Sequence, residues 1–330
     1  MSMAKLKVFL TNPIDRVGYE ILKDTDVVTA SDPSQATLTR EVGDADAIIV
    51  RTQLPPDIFE HGRRVRACVR HGTGLDLIPV DAATAHGILV ANVPGVNANA
   101  VAEYVVAQML LGARRLHRID STHRSEGWAA ARQLADGATE LRGKCAGIIG
   151  VGAIGARVAE ILHHGFGMQV LGHQRRLSAL PAFVDGTELD ELLRLADYIV
   201  LACPLTAETR GLLDARRIGL LKKHAFIVNV SRGAVLDEPA LIAALRERRI
   251  GGAALDVYAT QPLPRDSELL RLDNAILSTH LAGLSEDSLQ SMSRIACEET
   301  LRILSGEKPV NFCNPEAWDK SLARRKQLGF

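Results

Sequence analysis

The feature that most constrains this chain is an apolar run, Ala146 with Ile148 and Ile149, that passes straight into Gly150-Val151-Gly152-Ala153-Ile154-Gly155. A GxGxxG that leaves a strand and opens a helix has a mechanical reading. Gly150 makes the tight turn, Gly152 leaves room for a pyrophosphate against the backbone, and Gly155 lets the helix pack closely on the strand. Ala153 and Ile154 then stand where free N–H groups and the positive end of the helix dipole meet phosphates. Apolar residues recur at helical spacing through Val158, Ile161 and Leu162, and a second strand over 168–172 completes a βαβ unit. A bare GxGxxG is also found in ordinary loops; the flanking strand, helix and strand favour the dinucleotide reading here.

The end of that second strand bears on which dinucleotide fits. An acid about 20 residues past the glycines commonly accepts the ribose hydroxyls of NAD. This chain instead runs into His173-Gln174-Arg175-Arg176. Two guanidinium groups match a 2′-phosphate with paired donors, so NADP(H) is the expected cofactor, with NAD(H) as a second possibility. A solvated basic turn is the plainer alternative.

At 330 residues the chain has room for two domains, and 47% hydrophobic residues suffice for their cores. Basic and acidic residues both number 39 and the pI is about 7.2, so nothing in the charge balance points to nucleic acid or an anionic membrane. Five scattered cysteines without a CxxC fit free thiols in a cytoplasmic setting better than a disulfide frame or zinc site. No signal peptide or membrane-spanning run is evident. The histidines show no metal-ligand spacing, so no metal is expected.

Before the glycine motif the chain reads as a small α/β domain. Strands are expected over 7–10, 45–50, 66–69 and 87–93, and helices over 15–22 and from Pro55-Pro56. The strand at 66–69 opens into Arg70-His71-Gly72-Thr73-Gly74, whose backbone N–H groups can hold a small anion. A punctuated segment, 94–99, precedes a long helix over 101–117, and the first domain crossing is placed there. The signal weakens over 120–139, apart from Trp128. After the motif, helices at 189–195 and 239–246 alternate with strands at 198–201, 225–230, 252–257 and 275–277. That alternation means a doubly wound parallel sheet with ligands at the carboxyl ends of its strands. Arg232, the 256–261 segment and His280 all fall at those ends.

On these residues the chain resembles the D-isomer-specific 2-hydroxyacid dehydrogenases. The resemblance rests on Arg70 to Asp76, Pro94-Gly95-Val96-Asn97, the GxGxxG, Pro204-Leu205-Thr206 with Thr209-Arg210, Asn229 to Ala234, Leu255 to Tyr258, and Thr279 to Gly283. It implies a Rossmann-type dinucleotide domain, 100–286, and a smaller, discontinuous flavodoxin-like substrate domain, 1–99 with 287–330. Hinges would lie at 97–99 and 285–287, and the enzyme would be a homodimer. It also implies roles. Arg232 pairs with the carboxylate of a small 2-keto or 2-hydroxy acid, Gly72, Thr73 and Gly74 hold that carboxylate, and Arg51 and Leu54 stand beside the substrate. His280 is the general acid of reduction. Cys203, Pro204, Thr209, Val230, Ser231, Asp256, Ala282 and Gly283 border the cofactor. Glyoxylate or hydroxypyruvate would be the substrate. Phosphoglycerate or formate oxidation, or a dinucleotide-sensing corepressor, are the alternatives.

One position departs from the family pattern. Where a glutamate usually precedes a proline, the chain reads Gln261-Pro262. An amide can orient His280 but supplies no charge to keep it protonated. Reduction is therefore expected to fall off at a lower pH than a glutamate there would give.

Overall fold

The computed structural model describes residues 5–329; the ends of the expected first domain, 1–4 and 330, lie outside the described residues. Two compact units result, one running through Asn97 and resuming at Ser285, the other spanning Ala98–Leu284. These limits differ by two residues from those read in the sequence because helices begin there. One helix is Ala98–Arg114 and the other, Glu286–Ser305, starts from a capping box in which Ser285 and Ser288 satisfy each other's backbone N–H.

The first unit contains β1 (Lys7–Leu10), β2 (Asp26–Thr29), β3 (Ala47–Val50), β4 (Ala67–Arg70) and β5 (Leu89–Ala91). All pair in parallel in the order β2-β1-β3-β4-β5, the flavodoxin-like arrangement. Successive residues of each strand serve opposite faces. Val8, Leu10, Ile49 and Val69 pack against Met292, Ala296 and Cys297 of the helix Glu286–Ser305. Phe9, Ile48, Val50 and Val90 pack with Leu38, Ile58 and Phe59 on the other side. Both faces are covered, which is why these strands read as unbroken apolar runs.

The second unit adds β6 (Cys145–Ile149), β7 (Gln169–His173), β8 (Asp185–Gly186), β9 (Tyr198–Leu201), β10 (Phe226–Asn229), β11 (Gly252–Leu255) and β12 (Ala275–Leu277). Their order is β12-β11-β10-β9-β6-β7-β8, again all parallel. It is a doubly wound sheet whose order reverses between β6 and β9, where such sheets bind ligands. Ile149, Leu201, Ile227 and Leu255 face the helices Leu189–Leu195 and Glu238–Arg246, while Ile148, Val200 and Val228 face Val101, Val105 and Met109 of Ala98–Arg114.

Several local expectations change. The long helix stops at Arg114, because Arg115 takes a left-handed conformation (φ 54°), and a separate helix Leu116–Glu126 follows. The basic run near the end of the chain, Arg324-Arg325-Lys326, belongs to the helix Trp318–Gln327, and its two arginines are used structurally. Arg324 donates to the carbonyls of Val65, Arg63 and His86, and Arg325 to those of Ile303 and Leu304.

Asn314 ties that returning segment to the sheet. Fully buried, it accepts the Val90 N–H (2.8 Å) and donates to the Ile88 carbonyl and the Thr84 hydroxyl, both at 2.9 Å. Asn314→Ala leaves two backbone groups of the strand edge unpaired and should cost about 3 kcal/mol. A urea midpoint that moves by less than about 1 kcal/mol equivalent would refute this role.

Candidate active site

The turn after β6 has the geometry that a dinucleotide requires. Gly150 has φ 93°, and a Cβ there would lie 2.6 Å from the backbone N of Cys203, so the turn touches the end of β9. A Cβ on Gly155 would sit 2.1 Å from the Gly150 carbonyl oxygen, which fixes how closely the helix Ala153–Glu160 approaches the strand. Gly152 behaves differently. A Cβ there meets nothing within 4 Å, and no side chain caps the helix whose first residue follows it. Open space beside uncapped helix N–H groups fits a pyrophosphate.

Beyond β7, Arg175 and Arg176 are exposed, and the Gln174 amide folds back on its own turn to donate to the Arg176 carbonyl (2.9 Å). Glu208 lies near this basic pair. The Thr206 hydroxyl, and more weakly the Arg175 guanidinium, hold its carboxyl below the usual range. Thr209 is committed locally, since its hydroxyl donates to the Pro204 carbonyl (2.6 Å) and accepts the Thr206 N–H (2.7 Å). Cys203 is buried, and burial pushes its thiol up.

The candidate catalytic residues lie where β10, β11 and β12 finish. Asn229, fully buried, accepts the N–H (3.0 Å) and the hydroxyl (2.7 Å) of Ser231, and its amide donates to the Arg232 carbonyl (3.3 Å). That folds the turn carrying Arg232, whose guanidinium donates to the Ser231 carbonyl (2.8 Å). The next residue is a glycine of necessity, because a Cβ on Gly233 would lie 1.9 Å from the carbonyl carbon of Tyr258. This crossing brings the Arg232 turn against the segment that leads to Gln261. Glu238 fastens the same segment by accepting the Ala259 N–H (3.0 Å).

Asp256 then organises the loop after β12. One carboxylate oxygen accepts the Ser278 hydroxyl (2.5 Å) and the Leu281 N–H (2.8 Å); the other accepts the Ala282 N–H (2.9 Å). Its carbonyl accepts the His280 N–H (2.8 Å). Because Ser278 donates to Asp256, it accepts from the Tyr104 hydroxyl at 2.6 Å. Tyr258 donates to the Ser278 carbonyl (2.6 Å). Burial pushes both tyrosines up to about 12, so they act as neutral donors. His280 adopts a left-handed conformation (φ 57°), and its Nδ1 meets Gln261 Oε1 at 3.1 Å.

In the first unit, the Arg70 guanidinium donates to the carbonyls of Val50, His71 and Gly74, shaping the Gly72-Thr73-Gly74 turn, and Asn92 donates to the Thr73 carbonyl. Arg51 donates to the Pro13 carbonyl, and burial lowers its pKa. Leu54, expected beside the substrate, is 1% exposed and packs with Phe9 and Ile58.

The structure thus joins Gln261 to His280 directly and links both to Arg232 through backbone crossings. It adds Tyr104, Asn229, Glu238 and Ser278, which sequence reasoning did not single out. Asn229 was visible beside Arg232. Tyr104 and Ser278, 174 residues apart, carry no local signal.

The fold and this site define an α/β protein of the dinucleotide-binding kind with a second parallel-sheet unit. A family model described as D-isomer specific 2-hydroxyacid dehydrogenase, NAD binding domain, matches residues 106–282. A glyoxylate reductase of Thermofilum pendens is 33% identical over 326 residues, covering 95% of this chain and 96% of that protein. A D-3-phosphoglycerate dehydrogenase of Methanocaldococcus jannaschii is 35% identical over 97% of this chain, which spans 62% of that relative's length. A solved NADPH-dependent glyoxylate/hydroxypyruvate reductase of Sinorhizobium meliloti superposes with a TM-score of 0.84 at 26% identity, covering 95% of this chain and 99% of that one. The chain belongs to the D-isomer-specific 2-hydroxyacid dehydrogenases, oxidoreductases that bind a nicotinamide dinucleotide.

His71 gives the first unit a measurable pH signature. It is 3% exposed, its Nε2 shares a 2.8 Å hydrogen bond with Ser293, and burial, helped by Arg51 and Arg70, lowers its pKa to about 3. The unfolded chain therefore binds a proton that the folded chain refuses between about pH 6.5 and 3, and stability falls as pH falls through that window. His71→Gln should flatten the dependence by up to about 1.4 kcal/mol per pH unit in urea titrations, and an unchanged slope would count against a neutral buried His71.

Proposed function

We propose that this protein is a reductase of short 2-keto acids that prefers NADPH, with glyoxylate or hydroxypyruvate as the leading substrates. The observation that carries the reading is the Gln261–His280 contact, set beside the Arg232 turn at the carboxyl ends of adjacent parallel strands. Arg232 pairs with the substrate carboxylate. His280, protonated, delivers its proton from Nε2 to the keto oxygen. When bound, the nicotinamide supplies the hydride.

The 2′-phosphate preference is supported by the exposed pair Arg175 and Arg176 and by the absence of an acid from residues 173–176. NADPH-dependent relatives with this fold point the same way. Five free cysteines favour a cytoplasmic setting, and among the described residues no helix is long and apolar enough to cross a membrane. A homodimer is also part of the reading. Trp128, 74% exposed on the helix Trp128–Gln133, supports it, and sedimentation in which Trp128→Ala fails to weaken self-association would remove that support.

Initial rates with NADPH and NADH on glyoxylate, hydroxypyruvate and pyruvate test the reading. NADPH should be favoured, and Arg175→Ala with Arg176→Ala should raise its KM roughly 10- to 100-fold while leaving NADH nearly unchanged, the loss expected of charged hydrogen bonds. Equal use of both cofactors by the unaltered enzyme would reject the phosphate-pocket argument.

A further inference from the structure

A second concavity lies wholly within the second unit, at the end of its sheet opposite to Arg232 and His280. Phe226 opens β10 there, Gly251 stands just before β11 and Asn274 just before β12, and the cavity they border has a volume of about 570 Å3, the size of a small-molecule site. Its walls are basic. Arg115, Arg118, Lys223 and Arg248 line it against one carboxylate, that of Asp273. Asp273 pairs with Arg118 (3.1 Å) and with Arg248, so a single negative charge serves two guanidinium groups of five donors each. Arg115 donates to the carbonyls of Asp136 (2.7 Å) and Leu134 (3.5 Å), but no carboxylate pairs with it among the described residues. Lys223 is exposed and has no partner among the described residues. The neighbouring Asp197 does not alter the balance, because Lys222 and His224 both hold it at 2.8 Å. Burial, helped by Arg118, lowers the pKa of His117, which also lines the cleft.

Two further features mark the place. Asn274 is 9% exposed and its amide donates to the Leu245 carbonyl (3.2 Å), while its Oδ1 is buried without a hydrogen-bond partner among the described residues. A buried acceptor left open beside a cavity calls for a donor from what the cavity holds. Arg115 and Arg248 each follow the end of a helix in the left-handed conformation, both at φ 54°, a position that glycine ordinarily takes. An arginine stands at both in spite of the strain. We propose that this cleft binds a phosphorylated metabolite that carries two phosphoryl groups on a hydroxylated body. The excess of positive charge selects the phosphoryl groups. Each carries about 1.5 to 2 negative charges near neutral pH, so two of them match the arginines and Lys223 where two carboxylates do not. A hydroxyl of the body donates to Asn274 Oδ1, and Ile276 borders its carbon skeleton. This binding uses neither the glycine turn after β6 nor the candidate catalytic residues, so it stands or falls apart from the reductase reading.

Equilibrium binding of glucose 1,6-bisphosphate to the full chain, with and without saturating NADPH, tests the proposal. The compound should bind with a Kd below about 1 mM in both cases, and more weakly as salt rises. Lys223→Glu, at an exposed position with no contact to lose, should raise that Kd about tenfold or more. Inorganic pyrophosphate, which has the charge but no hydroxylated body, should bind at least about tenfold more weakly than the bisphosphate, and succinate should not compete. No binding, a Kd that Lys223→Glu leaves unchanged, or loss of binding in the presence of NADPH, which would place the compound in the dinucleotide site, overturns the inference. Pyrophosphate or succinate binding as tightly as the bisphosphate overturns the ligand class. Sedimentation in which Lys223→Glu dissociates a dimer, with no bisphosphate bound by the unaltered chain, overturns it in favour of a second copy of this chain as the occupant.

Discussion

The loop that carries His280 depends on one carboxylate, that of Asp256. It lies at the end of β11, the Ser278 hydroxyl and two consecutive N–H groups converge on its oxygens, and its own carbonyl takes a third N–H from the same loop. The magnitudes say why such a cluster is needed. A left-handed histidine costs roughly 1–2 kcal/mol. Hydrogen bonds to a charged acceptor contribute about 1.5–3 kcal/mol each, so three of them hold the strained residue comfortably. Without them the loop after β12 would relax to ordinary backbone and His280 would turn away from Gln261. Tyr104 extends the control to the helix Ala98–Arg114, because its hydroxyl reaches Ser278 and so fixes which way the serine donates.

Glycines perform the complementary task of letting backbones meet. At Gly233 the Arg232 turn crosses the Tyr258 carbonyl at a distance no Cβ permits, and at Gly150 the first turn of the dinucleotide unit touches Cys203. In both places a strand end is brought to its neighbour without a side chain between them. Gly152 has the opposite character, with nothing near its missing Cβ, and that contrast separates a residue needed for packing from one that leaves space for a ligand. The pattern GxGxxG names all three glycines alike; the distances sort them.

Much of this was legible in the sequence. Strands buried on both faces appear as apolar runs, the glycine motif falls where a strand meets a helix, and Arg232, Gln261 and His280 stand at strand ends in chain order. What stayed hidden has a common physical cause. Tyr104 and Ser278 depend on a contact across 174 residues, which no window can contain. The break at Arg115 turns on the backbone of one residue whose neighbours are good helix formers. Leu54 reads the same whether it lines a site or fills a core, because a leucine's composition does not say which side of a sheet it serves. Its packing, at 1% exposure, is supplied only by the fold.

Charge is the property for which a one-dimensional reading is weakest. Arg324-Arg325-Lys326 looks like a solvated basic run, yet Arg324 satisfies three carbonyls left open near β4 and β5, and Arg325 two at the carboxyl end of the helix Glu286–Ser305. A guanidinium with five donors suits such places, where several acceptors converge and the helix dipole favours a cation. Arg175 and Arg176 have the same composition and a different situation, since they are exposed beyond a strand end next to a glycine turn. The difference between an arginine that closes the fold and one left at the surface lies in whether backbone carbonyls have claimed its donors.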